Sequence, residues 1–507
     1  MTFAPRADGI ARTEPVDAMS RSQNRKRRQR RHLLPPRPAR QGAKPLPRDQ
    51  QTQRAAFPAQ SSSTLAQPAR FITGSIRRHI LVLTGTGALG LMAIFVGDLA
   101  NLLFLGQLHD TEVLAAVGYA STLLYFSISI GIGMSIGATS IVAPAIGAGQ
   151  KPEARRLATT ALLLTAMTCG ALALALWPFF SPMIGALGGH GRTQTLSTEY
   201  LAIVYPTFPL MAVGMTSGGI LRSAGDPQRA MYVTLSGAII NVILDPIFIL
   251  VLQYGLEGAA WASVIARVVH AAVGLWFVGR VHGLLQWPEK SQIKPDIVRL
   301  LGVAIPAVAT NLATPAANAF VTKALAGYGD AAIAAWSVYG RINPVAFGAV
   351  FALTSSLGPI IGQNFGAHNF ARVRETIIEA VRVTIAFTAF AWLVLALSPD
   401  WITRMFGLSG DSLPLIKLFC RWLPPFFSFL GFLFVANAVF NTLRHPHYAT
   451  LFNWGRATLG TIPFVMAGGA LAGAAGVFIG SMISGVIFGT AALWVSLRLV
   501  DKLAAGT

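Results

Sequence analysis

Beyond about residue 75 the sequence is a train of apolar runs separated by short polar breaks. The runs lie at roughly 79–105, 113–143, 157–182, 197–221, 231–253, 258–279, 298–325, 331–361, 375–398, 413–440, 447–470 and 474–497. A helix needs about 20 apolar residues to cross about 30 Å of hydrocarbon. Backbone polar groups in lipid must be satisfied internally, so crossings of this kind are helices. The pattern therefore predicts an all-α polytopic membrane protein with twelve transmembrane helices. Several runs exceed the minimum, which allows tilt or extra turns in water. Composition closes off the soluble alternative. Only 12% of the 507 residues are charged, against about 25% in a soluble domain, and the mean hydropathy is +0.56. A cytosolic enzyme of this size would need more polar surface.

The breaks set an orientation. One set of loops holds sixteen Lys and Arg residues, among them Arg77, Lys151, Arg222, Lys290, Arg372, Arg444 and Lys502. The opposite set holds four: Arg192, Lys323, Arg404 and Lys417. By the positive-inside rule both termini are expected in the cytoplasm of a plasma (bacterial inner) membrane protein.

The net charge of +20 misleads as a whole-chain number. Residues 1–80 hold 17 Lys and Arg against 4 Asp and Glu, including the run Arg25-Lys26-Arg27-Arg28. The segment 1–70, rich in Arg, Pro, Gln and Ser, cannot bury a core and is expected to be disordered. It has no apolar stretch beside its basic run, so it does not read as a secretory signal. A solvated tail drawn to anionic lipid, a start at Met19 and an organellar transit peptide are the three readings of it. The expected divisions are a basic cytoplasmic tail over 1–75, a six-helix lobe over 76–280, a connector over 281–297, a second lobe over 298–500 and a short tail over 501–507.

The two lobes look related. Gln107-Leu108-His109-Asp110 is echoed by Gly327-Tyr328-Gly329-Asp330, Pro144-Ala145-Ile146-Gly147 by Pro359-Ile360-Ile361-Gly362, and Ala224-Gly225-Asp226-Pro227 by Leu443-Arg444-His445-Pro446. The matches are collinear at offsets of 215–220 residues, as a duplicated six-helix unit would give. An even helix number keeps both copies in the same topology, the parallel-repeat plan of secondary transporters.

Two acids stand at membrane depth, Asp98 in the first run and Asp245 in the fifth. An intramembrane acid marks function by default. Asn241 lies one turn before Asp245 on the same face. Pro246 lacks an N–H and frees the carbonyl of Val242. A carboxylate, an amide and a spare carbonyl within one turn form what a proton or sodium ion needs. Arg267, Arg341 and Arg382, in or near the runs, and His270 fit packing or snorkelling roles. Cys169 and Cys420 are too few for a disulfide framework. No histidine or cysteine cluster has metal-ligand spacing, and no G-x-x-x-x-G-K-[ST], H-E-x-x-H or G-x-S-x-G motif appears at depth. The chain is therefore read as a transporter and not an enzyme, with no cofactor and no nucleic acid partner.

A family resemblance rests on Gly106-Gln107-Leu108 with Leu114-Ala115-Ala116-Val117, on Gly147-Ala148-Gly149, on Leu221-Arg222-Ser223-Ala224-Gly225-Asp226-Pro227 and on Asn241-Val242-Ile243-Leu244-Asp245-Pro246-Ile247-Phe248. Over about 75–500 the chain resembles the multidrug and toxic compound extrusion (MATE) family. The resemblance implies a monomeric two-lobe exporter that exchanges an amphipathic, cationic compound for protons or sodium within membrane lipid. One branch of the family has acids on helices 7 and 10. Here helix 7 offers Asn311, Thr314 and Asn318, helix 10 offers Ser428, Asn437 and Asn441, and neither has an Asp or Glu. The chain is more similar to the DinF-like branch, whose helix-5 Asn-x-x-x-Asp falls on Asn241 and Asp245 and whose helix-6 hydroxyl falls on Ser263. The family's helix-1 acid falls on Asn101, with Asp98 one turn earlier on the same face. The implied coupling set is Asp98, Asn101, Asn241, Asp245 and Ser263, with Asp98, Asn241 and Asp245 as ligands if the ion is sodium. Arg341 resembles a recurrent helix-8 arginine and joins Asn311 and Asn318 as a secondary candidate. A lipid-linked precursor flippase of the same superfamily is the competing reading. It would want a strongly cationic central cavity, whereas most basic residues here lie in loops.

Overall fold

In the computed structural model, residues 69–406, 408 and 410–506 are described. The basic tail before Ala69 therefore lies outside the described residues. The described residues form helices joined by short turns. Among them, ten helices are long and apolar enough to cross a membrane. The eighth crossing is a pair, Ala331–Ala346 and Gly348–Gly366, bent by 50° between them. The last helix, running to Ala505, breaks at Ala472 and Gly473 into two crossings. Twelve spans result. The first six are Ile76–Gly106, Thr111–Gly147, Lys151–Ala186, Gly191–Ser223, Pro227–Val251 and Gly255–Val281. The seventh is Lys290–Ala326. The remaining five start at Asp330, Phe370, Pro424, Pro446 and residue 474.

Short polar residues start several spans, because the first N–H groups of a helix need acceptors. Ser75 accepts from the Arg78 amide, Asp110 from Glu112 and Val113, Asp226 from Arg229, and Asn369 from Arg372. The Asp226 carboxylate also meets the Arg229 guanidinium and, at 3.1 Å, His282.

The turns repeat between the halves. Thr111 and Asp330, Lys151 and Phe370, and Pro227 and Pro446 each open helices 219 residues apart. The 3-10 break Tyr205–Thr207 in span 4 recurs 219 residues later as Pro424–Phe426. Left-handed turn residues pair in the same way: His109 with Gly329, Gly149 with His368, Gly191 with Gly410 and Gly225 with Arg444.

The halves meet chiefly through spans 1, 2, 7 and 8, closest at the end bearing the basic loops. A Cβ on Gly366 would lie 1.9 Å from the Pro144 carbonyl oxygen, so only glycine permits this contact. Gln363 and Asn364 are fully buried here. The Gln363 amide donates to the Ser223 carbonyl at 2.7 Å, linking span 8 to span 4.

The segment from Ala69 to Ser75, drawn with the tail in the sequence reading, lies across this junction. Phe71 is 1% exposed. Its N–H donates to Gln363 Oε1 at 2.8 Å, and its carbonyl accepts from Asn364 and Arg372. Arg70 donates to the Gly225 carbonyl at 2.8 Å. The strap thus touches both lobes.

The connector is shorter than expected over 281–297. Span 7 starts at Lys290, and in its early turns Asp296 is buried at 1% exposure and receives Arg156 Nε at 2.9 Å. Arg299 donates to Glu153 at 2.8 Å one turn further on.

Candidate functional site

Asp245 is completely buried near the end of span 5 that lies opposite the basic loops. Two amides converge on one of its oxygens. Asn241 Nδ2, one turn earlier on the same helix, donates to Oδ2 at 2.7 Å. Asn101 Nδ2, from span 1, donates to the same oxygen at 2.9 Å. Oδ1 is buried and has no hydrogen-bond partner. A buried carboxylate oxygen without a partner is costly, and here it is the free corner of an otherwise organised group. The helix continues past Pro246 as a π turn over Ile247–Val251, an irregularity common at functional sites.

Asp98 lies one turn before Asn101 and is exposed. Asp245 takes its hydrogen bonds from Asn101 and Asn241 and not from Asp98. Ser263 stands on span 6, which packs against spans 4 and 5, and the Tyr200 hydroxyl of span 4 lies beside it. Spans 1 and 5 thus meet at the Asp245 cluster, with span 6 packed against both and span 4 against span 6. Tyr200 has no counterpart in the sequence reading: a lone tyrosine at a span end gives no periodic signal, and only the packing of span 4 on span 6 brings it in.

Two basic residues of span 6 lie further toward the basic loops. Arg267 Nη1 donates to the Val204 carbonyl at 2.8 Å and to Thr207 at 3.3 Å. It satisfies the backbone where Pro206 interrupts span 4. His270 packs against Gly214 and Gly237, and a Cβ on Gly214 would fall 1.6 Å from its ring. Its Nε2 is buried without a partner.

The secondary candidates of the second lobe do not gather in this way. Asn311 donates back to the Ala307 carbonyl of its own helix at 2.8 Å. Asn318 and Arg341 are exposed. Instead, Arg456 is buried between the spans of that lobe, 8% exposed and donating to Thr314 Oγ1 at 3.2 Å.

Comparison with known proteins adds a lineage to this geometry. The MatE family model matches residues 88–247 and 306–466, one segment in each lobe. The FAD transporter of Shewanella oneidensis is 26% identical over 442 residues, covering 86% of this chain and 98% of that protein. The multidrug export protein MepA of Staphylococcus aureus is 26% identical over 309 residues, 58% of this chain and 65% of MepA. Among solved structures, the bent form of the Vibrio cholerae MATE transporter VcmN superposes with a TM-score of 0.80 at 25% identity, over 85% of this chain and 98% of that one.

Proposed function

The chain is a MATE family transporter, and from that premise we propose that it is an antiporter that extrudes amphipathic organic compounds, cationic ones foremost, in exchange for protons or sodium. The observation that carries the reading is the Asp245 cluster, a wholly buried carboxylate with two amides on one oxygen and nothing on the other. A proton or a sodium ion at Oδ1 neutralises the group without disturbing the amides. Asp98, exposed and one turn away, offers the second carboxylate through which the ion enters, or at which a cationic substrate competes with it. Ser263 and Tyr200 supply neutral oxygens on the far wall. DinF-like membership fits this placement of the acids in the first lobe.

The basic end is assigned to the cytoplasm of a bacterial inner membrane, which places both termini inside and makes the described state one closed to the cytoplasm. Transport then needs the seal at Pro144 and Gly366 to part while the outer halves approach, a rocking of two bundles about a central site. Ion binding drives this only if it favours one state over the other. Exchanging one proton for one monovalent cation moves no net charge, so the pH gradient alone drives that mode. An uncompensated charge would add about 2.3 kcal/mol per 100 mV. The protein is taken to work as a monomer, with substrate and coupling ion sharing one chain.

The test is efflux of a dye panel from inverted vesicles with pH and sodium gradients imposed separately. Efflux should collapse when one of the two is dissipated and persist without the other. Efflux that survives loss of both would overturn the antiport reading.

A further inference from the structure

We propose that the strap Ala69–Ser75 is a latch that holds the two lobes together at the end bearing the basic loops, with Phe71 as its anchor in one lobe and Arg70 as its catch on the other. By chain order the strap belongs to the first lobe, since span 1 follows it directly. Its ring nonetheless sits in the second. Phe71 is 1% exposed and shares a hydrophobic cluster with Leu353, Leu357 and Ile360 of span 8 and Ile377 of span 9. The same lobe satisfies the backbone of the strap. Gln363 Oε1 accepts from the Phe71 N–H at 2.8 Å, and the Phe71 carbonyl accepts from Asn364 at 3.1 Å and from Arg372 at 3.2 Å. Arg372 also donates to the Gly74 carbonyl at 3.0 Å. A segment buried with its N–H and C=O groups paired is a docked element of the fold.

Arg70 faces the other way. It is exposed, and its Nη1 donates at 2.8 Å to the Gly225 carbonyl, in the turn between spans 4 and 5. Gly225 has φ +85°, and a Cβ there would stand 2.9 Å from Arg70 Cβ, so glycine keeps this seat open. Gln363 ties the two contacts together, because its Nε2 donates to the Ser223 carbonyl of span 4 at 2.7 Å. The strap cannot follow both lobes when they separate. A buried ring and several hydrogen bonds hold it to the second lobe, and one exposed guanidinium holds it to the first. The Arg70–Gly225 contact is therefore the one that gives. Behind the strap, Ser75 caps span 1 and His79 meets the Thr73 carbonyl at 2.8 Å. The latch is thus continuous with the helix whose Asn101 donates to Asp245. From Ile76 to Asn101 that helix runs about 38 Å at 1.5 Å per residue, so it is fixed to the lobe junction at one end and to the ion site near the other. The latch matters only if the lobes part at the basic end, as the antiport reading above requires.

Spin labels on cysteines at Lys151 and Glu375, exposed positions at the basic end of the first and second lobes, report the parting as a distance distribution. The sample is the purified full-length protein in phosphatidylcholine nanodiscs. Cys169 and Cys420 are buried and leave the background clear. Arg70→Ala should raise the ratio of open to closed molecules about three- to tenfold, the range of one hydrogen bond. Arg77→Ala, which removes the same charge from an exposed side chain nearby, should leave the ratio unchanged. Phe71→Ala, which removes the anchor, should raise it further, and Phe71→Leu takes its place if the alanine variant does not fold. A ratio in Arg70→Ala equal to that of the wild type overturns the latch. So does an equal rise in Arg77→Ala, which would mark the effect as one of charge alone, and so does a folded Phe71 variant at the wild-type ratio. If the latch fails in these ways while the wild-type ratio still responds to pH or sodium, the ion-driven rocking stands. A wild-type distance that stays fixed under every ion condition sinks the rocking and the latch together.

Discussion

At an offset of 219 residues, Gly214, Gly237 and His270 of the first lobe correspond to Leu433, Arg456 and Gly489 of the second. In the first lobe two glycines make room for a histidine ring from span 6. In the second, the large side chain comes from span 11, and the glycine of span 12 instead lets the Phe429 carbonyl of span 10 approach. The same exchange runs through the ends of the spans opposite the basic loops. Asp98 corresponds to Asn318 at an offset of 220, and Asp245 to Phe464 at 219. The corners follow suit, with Asp226 at the start of span 5 and His445 at the start of span 11. Helix starts, breaks and left-handed turns have been kept in register between the lobes, while the capping residues and the charged side chains between the spans have been exchanged. The backbone rules that make the bundle are thus separable from the side chains that make the site.

The most severe test of this division is Asp245→Asn. The amide keeps the shape and cannot take up a charge-compensating ion. Gradient-driven efflux should fall to background, a loss of about 100-fold or more, the scale on which a positioned acid–base group acts, with expression unchanged. Transport that continues with unchanged pH dependence would reduce Asp245 to a packing acid. Asp98→Asn should lower coupled efflux by the same route. Asn318→Asp, which puts an acid at the corresponding place in the other lobe, should leave the coupling ion unchanged, because no buried amide pair awaits it there.

Packing gives the next largest effects. Leu433 is fully buried, so Leu433→Ala should cost about 2–5 kcal/mol through the cavity it leaves. Gly214→Ala should cost about 1–3 kcal/mol by overpacking. Pairing it with His270→Ala should restore much of that loss in a double-mutant cycle read by thermal unfolding. An additive result would mean that the ring and the glycine do not constrain each other. The least perturbing test is labelling. Cysteines at Trp287, which is 93% exposed, and at His190 should react from opposite sides of the membrane. Labelling from the same side would sink the orientation on which the inside–outside comparison rests.

The span count, the duplication and the Asn241–Asp245 pair can be read from sequence because each rests on local spacing. Apolar run length reports span length, and four residues make a helical turn. Counting from Gly106 reaches Asn101, whereas Asp98 stands out as the only acid of its span. The structure gives the direct hydrogen bond to Asn101 and leaves Asp98 beside it, a distinction that depends on how span 1 is rotated against span 5. Arg456 is visible as a charge inside the run 447–470, but nothing local separates an unpaired arginine from a snorkelling one. That takes the positions of Thr314 and Tyr339 on two other spans. The early start of span 7 is hidden for a similar reason, since Asp296 looks like a loop acid until Arg156, 140 residues away, is placed against it.

The strap at Ala69–Ser75 turns the closed junction into something a protease can report. With Phe71 buried between Gln363 and Asn364 and Arg70 held on Gly225, the Arg70–Phe71 peptide bond is shielded from trypsin. Parting the lobes at this end withdraws the partners from one side of the strap and frees the bond. The rate of cutting after Arg70 should therefore rise with the fraction of molecules open at this end. Followed with and without the coupling ion, it becomes a clock for the transport cycle that requires no label and no knowledge of the cargo.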